Sequence, residues 1–183
     1  MKTFKPRIKA RLRKNRQVLN KNIDNFFGWI KGAKLVELKE CNTEEDPVRP
    51  ELDNEFRTGY GRKIYGVEYQ EEIHAVMCFA YTNKIPKSVE ELEKLSTDAF
   101  LQSAMRDQAG GQIAIAYTVW SKKKGGGKLI VKEVFKKIKK SNHLNRLVTL
   151  SPLTEMATKF HTRNGAKLVQ INETTQNFEY KVL

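Results

Sequence analysis

The sequence has only two cysteines, Cys41 and Cys78, in 183 residues. Neither belongs to a CxxC pair or to a Cys/His grouping with metal-ligand spacing. That excludes a disulfide framework and a structural zinc, and it points to a reducing, cytoplasmic compartment. No apolar run approaches the roughly 20 residues of a membrane-crossing helix, and no signal-peptide core follows Met1, so a soluble protein is expected. Internal repeats and low-complexity stretches are absent, while 39% of the residues are apolar, enough for one packed core.

Acidic residues are missing from one end. None precedes Asp24, whereas Lys2, Lys5, Arg7, Lys9, Arg11, Arg13, Lys14 and Arg16 all do. The formal net charge is +13, and without those eight residues it falls to +5. Residues 1–16 therefore form either a solvated basic tail or an arm for nucleic acid, where lysine and arginine release counterions. Ile8, Leu12, Leu19, Ile23, Phe26, Phe27 and Ile30 recur at helical spacing up to Gly32. The expected organisation is a basic arm and helix over residues 1–31 and one domain over 32–183.

Within that domain, KLVELK (34–39) reads as a short strand, followed by an acidic loop with Glu44, Glu45, Asp46, Pro47 and Pro50. RKIYGVEY and IHAVMCFAY flank Gln70, Glu71 and Glu72 as a hairpin of two long strands. SVEELEKL and TDAFLQSAMRDQ read as helix up to Gly110 and Gly111. Residues 112–121 form a largely apolar and hence central strand. NRLVTLS is a further strand, Pro152 marks a helix start, and Leu153, Met156, Ala157 and Phe160 give that helix its apolar face. Asn164-Gly165 ends it, and AKLVQI with NFEYKVL closes the chain as a final hairpin.

Between the apolar strand and the next helical pattern stands KKKGGGK, residues 122–128. The first amides of a helix lack partners and sit at the positive end of its dipole, so such a junction binds phosphate. Glycine lets the main chain approach an anion, and lysine adds point charge. A Walker A loop is excluded because Lys122 occupies its first glycine position and Leu129 follows Lys128. A Rossmann fingerprint is excluded by the absence of GxGxxG. The other reading is a flexible basic loop.

The context resembles the GNAT superfamily of acyl-CoA N-acyltransferases, over residues 62–183. Lys122-Lys123-Lys124-Gly125-Gly126-Gly127 meets the spacing of that family's R/Q-x-x-G-x-G/A turn, with Lys in the first place. Thr154, Ala157, Phe160, His161, Arg163, Gly165 and Ala166 occupy the places of N-x-x-A-x-x-L-Y-x-K-x-G-F. Thr154 replaces the usual asparagine and His161 the usual tyrosine. The resemblance implies an α+β fold with a mixed, mostly antiparallel sheet flanked by helices, and acetyl-CoA or another acyl-CoA as co-substrate with an amine acceptor and no metal. It further implies that main-chain amides near Val119 or Trp120 hold the acyl oxygen. The amides of Gly125, Gly126, Gly127 and Lys128 would hold the pyrophosphate, with Lys122, Lys123 and Lys124 near the other phosphate.

His161 is then the candidate donor of a proton to the departing thiolate, or a solvated histidine at a helix end. No acid lies in the strand QIAIAYTVWS, which leaves Tyr117, Glu68 or His74 as bases acting through water. Leu150-Ser151-Pro152 is similar to the serine-containing segment of malonyl-CoA decarboxylases, whose catalytic domain is a divergent GNAT fold. Ser151 is thus a candidate hydrogen-bond partner of the thioester substrate, or simply the cap of the coming helix. A nucleic-acid-binding protein and a CoA-binding fold without transferase activity are the competing functions.

Overall fold

The computed structural model describes residues 28–106 and 110–180. The proposed arm and all but the end of its helix lie outside the described residues; residues 28–32 are helical.

Eight strands form one sheet: β1 (Lys34–Leu38), β2 (Lys63–Tyr69), β3 (Glu72–Thr82), β4 (Ile113–Ser121), β5 (Arg146–Thr149), β6 (Ser151–Pro152), β7 (Ala166–Ile171) and β8 (Thr175–Tyr180). Beyond the helical residues 28–32, the described residues include the α-helices α1 (Asn54–Thr58), α2 (Val89–Arg106), α3 (Gly126–Lys139) and α4 (Glu155–Arg163). The order across the sheet is β1-β2-β3-β4-β5-β8-β6, with β7 on the other side of β8. β4 and β5 are parallel, while β8 runs antiparallel to β5, β6 and β7.

The β2–β3 hairpin turns where expected. Gln70 and Glu71 take φ of 53° and 65°, the left-handed pair of a two-residue turn, and Tyr69 faces Glu72 across it. Alternation then separates two faces. Ile64, Val76, Cys78, Ile115 and Tyr117 pack with Leu92 of α2 on one side. Tyr65, Phe79 and Ala114 face Val134 and Ile138 of α3 on the other. Helix α3 buries Ile130, Val131, Val134 and Ile138, which recur at helical spacing along one face.

Two departures from the expected strands shape the site. In β4, pairing passes from Cys78↔Thr118 directly to Phe79↔Ala116, so Tyr117 is the extra residue of a β-bulge. The segment NRLVTLS is not one strand. β5 ends at Thr149, and after Leu150 the chain switches partner to pair as β6 with Gln176 and Thr175 of β8.

Candidate functional site

β4 and β5 last pair at Ala116↔Thr149, and the Leu150 amide bonds the Ala116 carbonyl at 2.9 Å. Beyond that rung β5 turns away and β4 runs on to Ser121 without it. The wedge between them opens into a cavity of about 640 Å³. Val119, Trp120 and Ser121 line one wall, Ser151, Pro152, Phe160 and His161 another, and Glu45, Pro47 and Val48 a third.

The glycine turn closes one end, and its three glycines are required for different reasons. Gly125 has φ of 85°, a left-handed conformation that a side chain disfavours. A Cβ on Gly126 would stand 3.0 Å from Ser121 Cβ, and one on Gly127 would stand 3.1 Å from the Phe160 ring. Two of the main-chain donors in this segment are already used. The Gly126 amide bonds the Lys123 carbonyl at 2.9 Å, correcting its assignment to the pyrophosphate, and the Lys122 amide bonds the His74 carbonyl at 2.9 Å. The amides of Gly127 and Lys128 have no protein partner among the described residues. Both residues, with Gly125, also line an adjoining recess that holds Lys159 and Arg163. Of the lysines, Lys122 pairs with Glu45 at 2.7 Å and Lys123 lies 4.8 Å from the Tyr69 ring centre. None of the ion pairs among the described residues includes Lys124.

On the opposite wall the cap of α4 is Thr154, whose Oγ1 accepts from the Ala157 amide at 3.3 Å. Ser151 and Pro152 therefore do not start the helix, and Ser151 is released from capping to face His161. Ser151 Oγ lies 2.8 Å from His161 Nε2 and donates to Thr149 Oγ1 at 3.0 Å. His161 Nδ1 lies 2.8 Å from the Tyr180 hydroxyl. The neutral imidazole thus bridges the Ser151 and Tyr180 hydroxyls, one ring nitrogen donating and the other accepting.

His161 is only 4% exposed, stacked on Phe178 and edge-on to Phe160 with ring centres 5.1 Å apart in each case. It is not a solvated helix-end histidine. Burial lowers its pKa to about 4, so at neutral pH the imidazole is uncharged. Burial likewise pushes the Tyr180 phenol upward, keeping it a donor.

Tyr117 lines the cavity, but its ring packs edge-on against Phe56 at 5.8 Å, and burial raises its phenol well above the usual range. It therefore stays protonated at neutral pH. Its hydroxyl and Trp120 Nε1 are buried polar atoms without a partner among the described residues. Glu68 and His74 are not among the residues lining this cavity, whereas Glu45 is.

The acidic loop carries buried polar residues that no sequence motif singled out. Asp46 is 1% exposed. Its carboxylate accepts from the amides of Val48 and Arg49 at 2.9 and 3.2 Å, from Thr118 Oγ1 at 2.7 Å and from Arg57 at 2.9 Å. Arg57 also reaches the carbonyls of Leu52 and Arg49. Arg49 is buried and donates to the carbonyls of Tyr117 and Leu150 at 2.9 and 3.2 Å. The one local signal was Asp46-Pro47, a turn-initiating pair whose carboxylate bonds amides two and three residues on.

No family model matches the sequence, and no curated protein matches it. Solved structures do. The GphF GNAT-like decarboxylase in complex with isobutyryl-CoA matches with a TM-score of 0.59 at 10% identity, covering 80% of this chain and 98% of that one. The loading GNATL domain of CurA from Lyngbya majuscula gives 0.57 at 12% identity, covering 81% and 96%. An acetyltransferase of Bacillus subtilis in complex with CoA gives 0.56 at 13% identity, covering 82% and 99%. The chain has the GNAT fold, the mixed, mostly antiparallel sheet flanked by helices that its motifs implied.

Proposed function

We propose that this chain binds an acyl-coenzyme A in the β4–β5 wedge and transfers its acetyl or other acyl group to an amine. One observation carries the reading. The unpartnered amides of Gly127 and Lys128, at the positive end of a 14-residue helix, adjoin a strand margin that has lost its neighbour. Those amides and that of Gly125, with Lys122, Lys123 and Lys124, would hold the phosphates. Main chain near Val119 or Trp120 would polarise the thioester carbonyl. As the amine forms its bond to the carbonyl carbon and the carbon–sulfur bond breaks, the Ser151 hydroxyl turns from Thr149 and gives its proton to the departing thiolate. The proton that the amine sheds on becoming an amide returns through water to Ser151, and the neutral His161, held by Tyr180, keeps that hydroxyl in place, so Ser151 and His161 act as one donor line.

A second reading is decarboxylation of a malonyl-type thioester. The Ser151–His161 pair favours it, because β4 offers no carboxylate to deprotonate an amine, and the same donor line would protonate the enolate left when carbon dioxide departs. One assay separates the two. The protein is given acetyl-CoA with a polyamine or peptide amine, or malonyl-CoA alone, and products are read by mass spectrometry. Acylated amine supports transfer, acetyl-CoA with carbon dioxide supports decarboxylation, and neither product, with no thermal shift by CoA, sinks both. We further propose that residues 1–31 are an arm separate from the catalytic domain and that residues 1–16 bring this cytoplasmic enzyme to nucleic acid. A gel shift that persists without residues 1–16, or that ignores salt, would refute that role.

A further inference from the structure

In an unbroken parallel ladder each strand's carbonyls accept from amides of its neighbour. Just past the last β4–β5 rung, the carbonyls of Tyr117 and Leu150 do something else. Both accept from a single side chain, Arg49, through Nε at 2.9 Å and Nη2 at 3.2 Å. The guanidinium is planar, with donors in fixed relation to one another, so it imposes a set separation on the two groups it bridges. Its own position is fixed too. The Arg49 amide is held by Asp46, and that same carboxylate is bonded to Thr118, the next residue of β4. The two residues before Arg49, Pro47 and Val48, line the cavity.

We infer that Arg49 is the wedge that keeps β4 and β5 apart, and hence a positioning residue for the acyl group. In its catalytic part this inference rests on the acyl-CoA reading. A lysine could not replace it, since one ammonium on a flexible stem does not hold two carbonyls of different strands at a defined spacing. The Arg49 guanidinium also occupies one side of the Leu150 carbonyl, the natural acceptor for a β4 amide beyond the bulge, and stands between the two strand margins.

The test uses the full chain with Arg49→Lys and Arg49→Met. Displacing a reacting carbonyl by an ångström costs turnover far more than binding, so kcat for acyl-CoA consumption should fall about a hundredfold in both variants. The CoA dissociation constant, set by the glycine turn, should move less than about threefold. Methylguanidinium in the buffer should restore part of the Met variant's rate and none of the Lys variant's. Turnover unchanged in either variant, or equal rescue of both, overturns the inference. Hydrogen exchange gives a readout free of ligand. In the wild type, amides of residues 117–121 should exchange faster than those of 113–116, and Arg49→Lys should change the rate of the first set without altering the 63–82 hairpin. Equal protection of the two sets overturns the wedge whether or not the variants fold well. If the wild type neither binds nor consumes acyl-CoA, the functional reading falls and the exchange comparison still judges Arg49.

Discussion

Two charged loops border the cavity and use charge in opposite ways. The turn at residues 121–128 leaves lysines at the surface and keeps two backbone donors unspent. The loop at residues 43–53 carries a similar density of charge but withdraws Asp46 from water and surrounds it with side-chain and main-chain donors. The count of charges does not separate them. A buried carboxylate is tolerated where fixed partners replace its hydration, and a lysine stays wet where none does.

Four measurements would break or sharpen that contrast. The largest effect belongs to Asp46→Ala, which strands the Arg57 guanidinium in the interior; urea unfolding should show a loss of about 3–5 kcal/mol. A loss below about 1 kcal/mol would place the loop among ordinary wet loops. Next comes His161. Its folded pKa of about 4 lies below the unfolded value of 6.5, so the unfolded chain binds the extra proton. Stability should therefore be full above pH 6.5 and fall as pH drops towards 4, by on the order of 3 kcal/mol. His161→Phe should flatten that limb, whatever it does to the plateau.

Gly127→Ala ranks third. Its methyl would press on Phe160 at the mouth of the cavity, and CoA binding measured by calorimetry should weaken about tenfold, or 1.4 kcal/mol. The smallest change is expected for Lys124→Ala. Stability should stay within about 0.5 kcal/mol, while CoA affinity drops a few-fold at low salt and converges with wild type as salt is added.

What could be read beforehand was what sequence neighbours decide. The 63–82 hairpin followed from alternation on either side of Gln70-Glu71, and helix α3 from the change of period after the glycines. The phosphate-binding character of residues 122–128 was likewise proposed from composition at a strand–helix junction. Ser151 was ambiguous because a serine before proline serves equally as a cap, and only Thr154 taking that role released it. Arg49 and Asp46 were illegible for a plainer reason. Their partners lie 68, 101 and 72 positions away, and no local pattern reports such a span. The β-bulge at Tyr117 leaves no mark in a run of apolar residues either.

Strand β8 sits between β5 and β6 on one side and β7 on the other, and it carries Phe178 and Tyr180, the stack and the hydroxyl behind His161. It is the last of the described strands in chain order. During synthesis the ribosome must release nearly the whole of this sequence before that imidazole has a neighbour on its Nδ1 side. Until then β5 and β7 both lack the strand with which their facing edges pair.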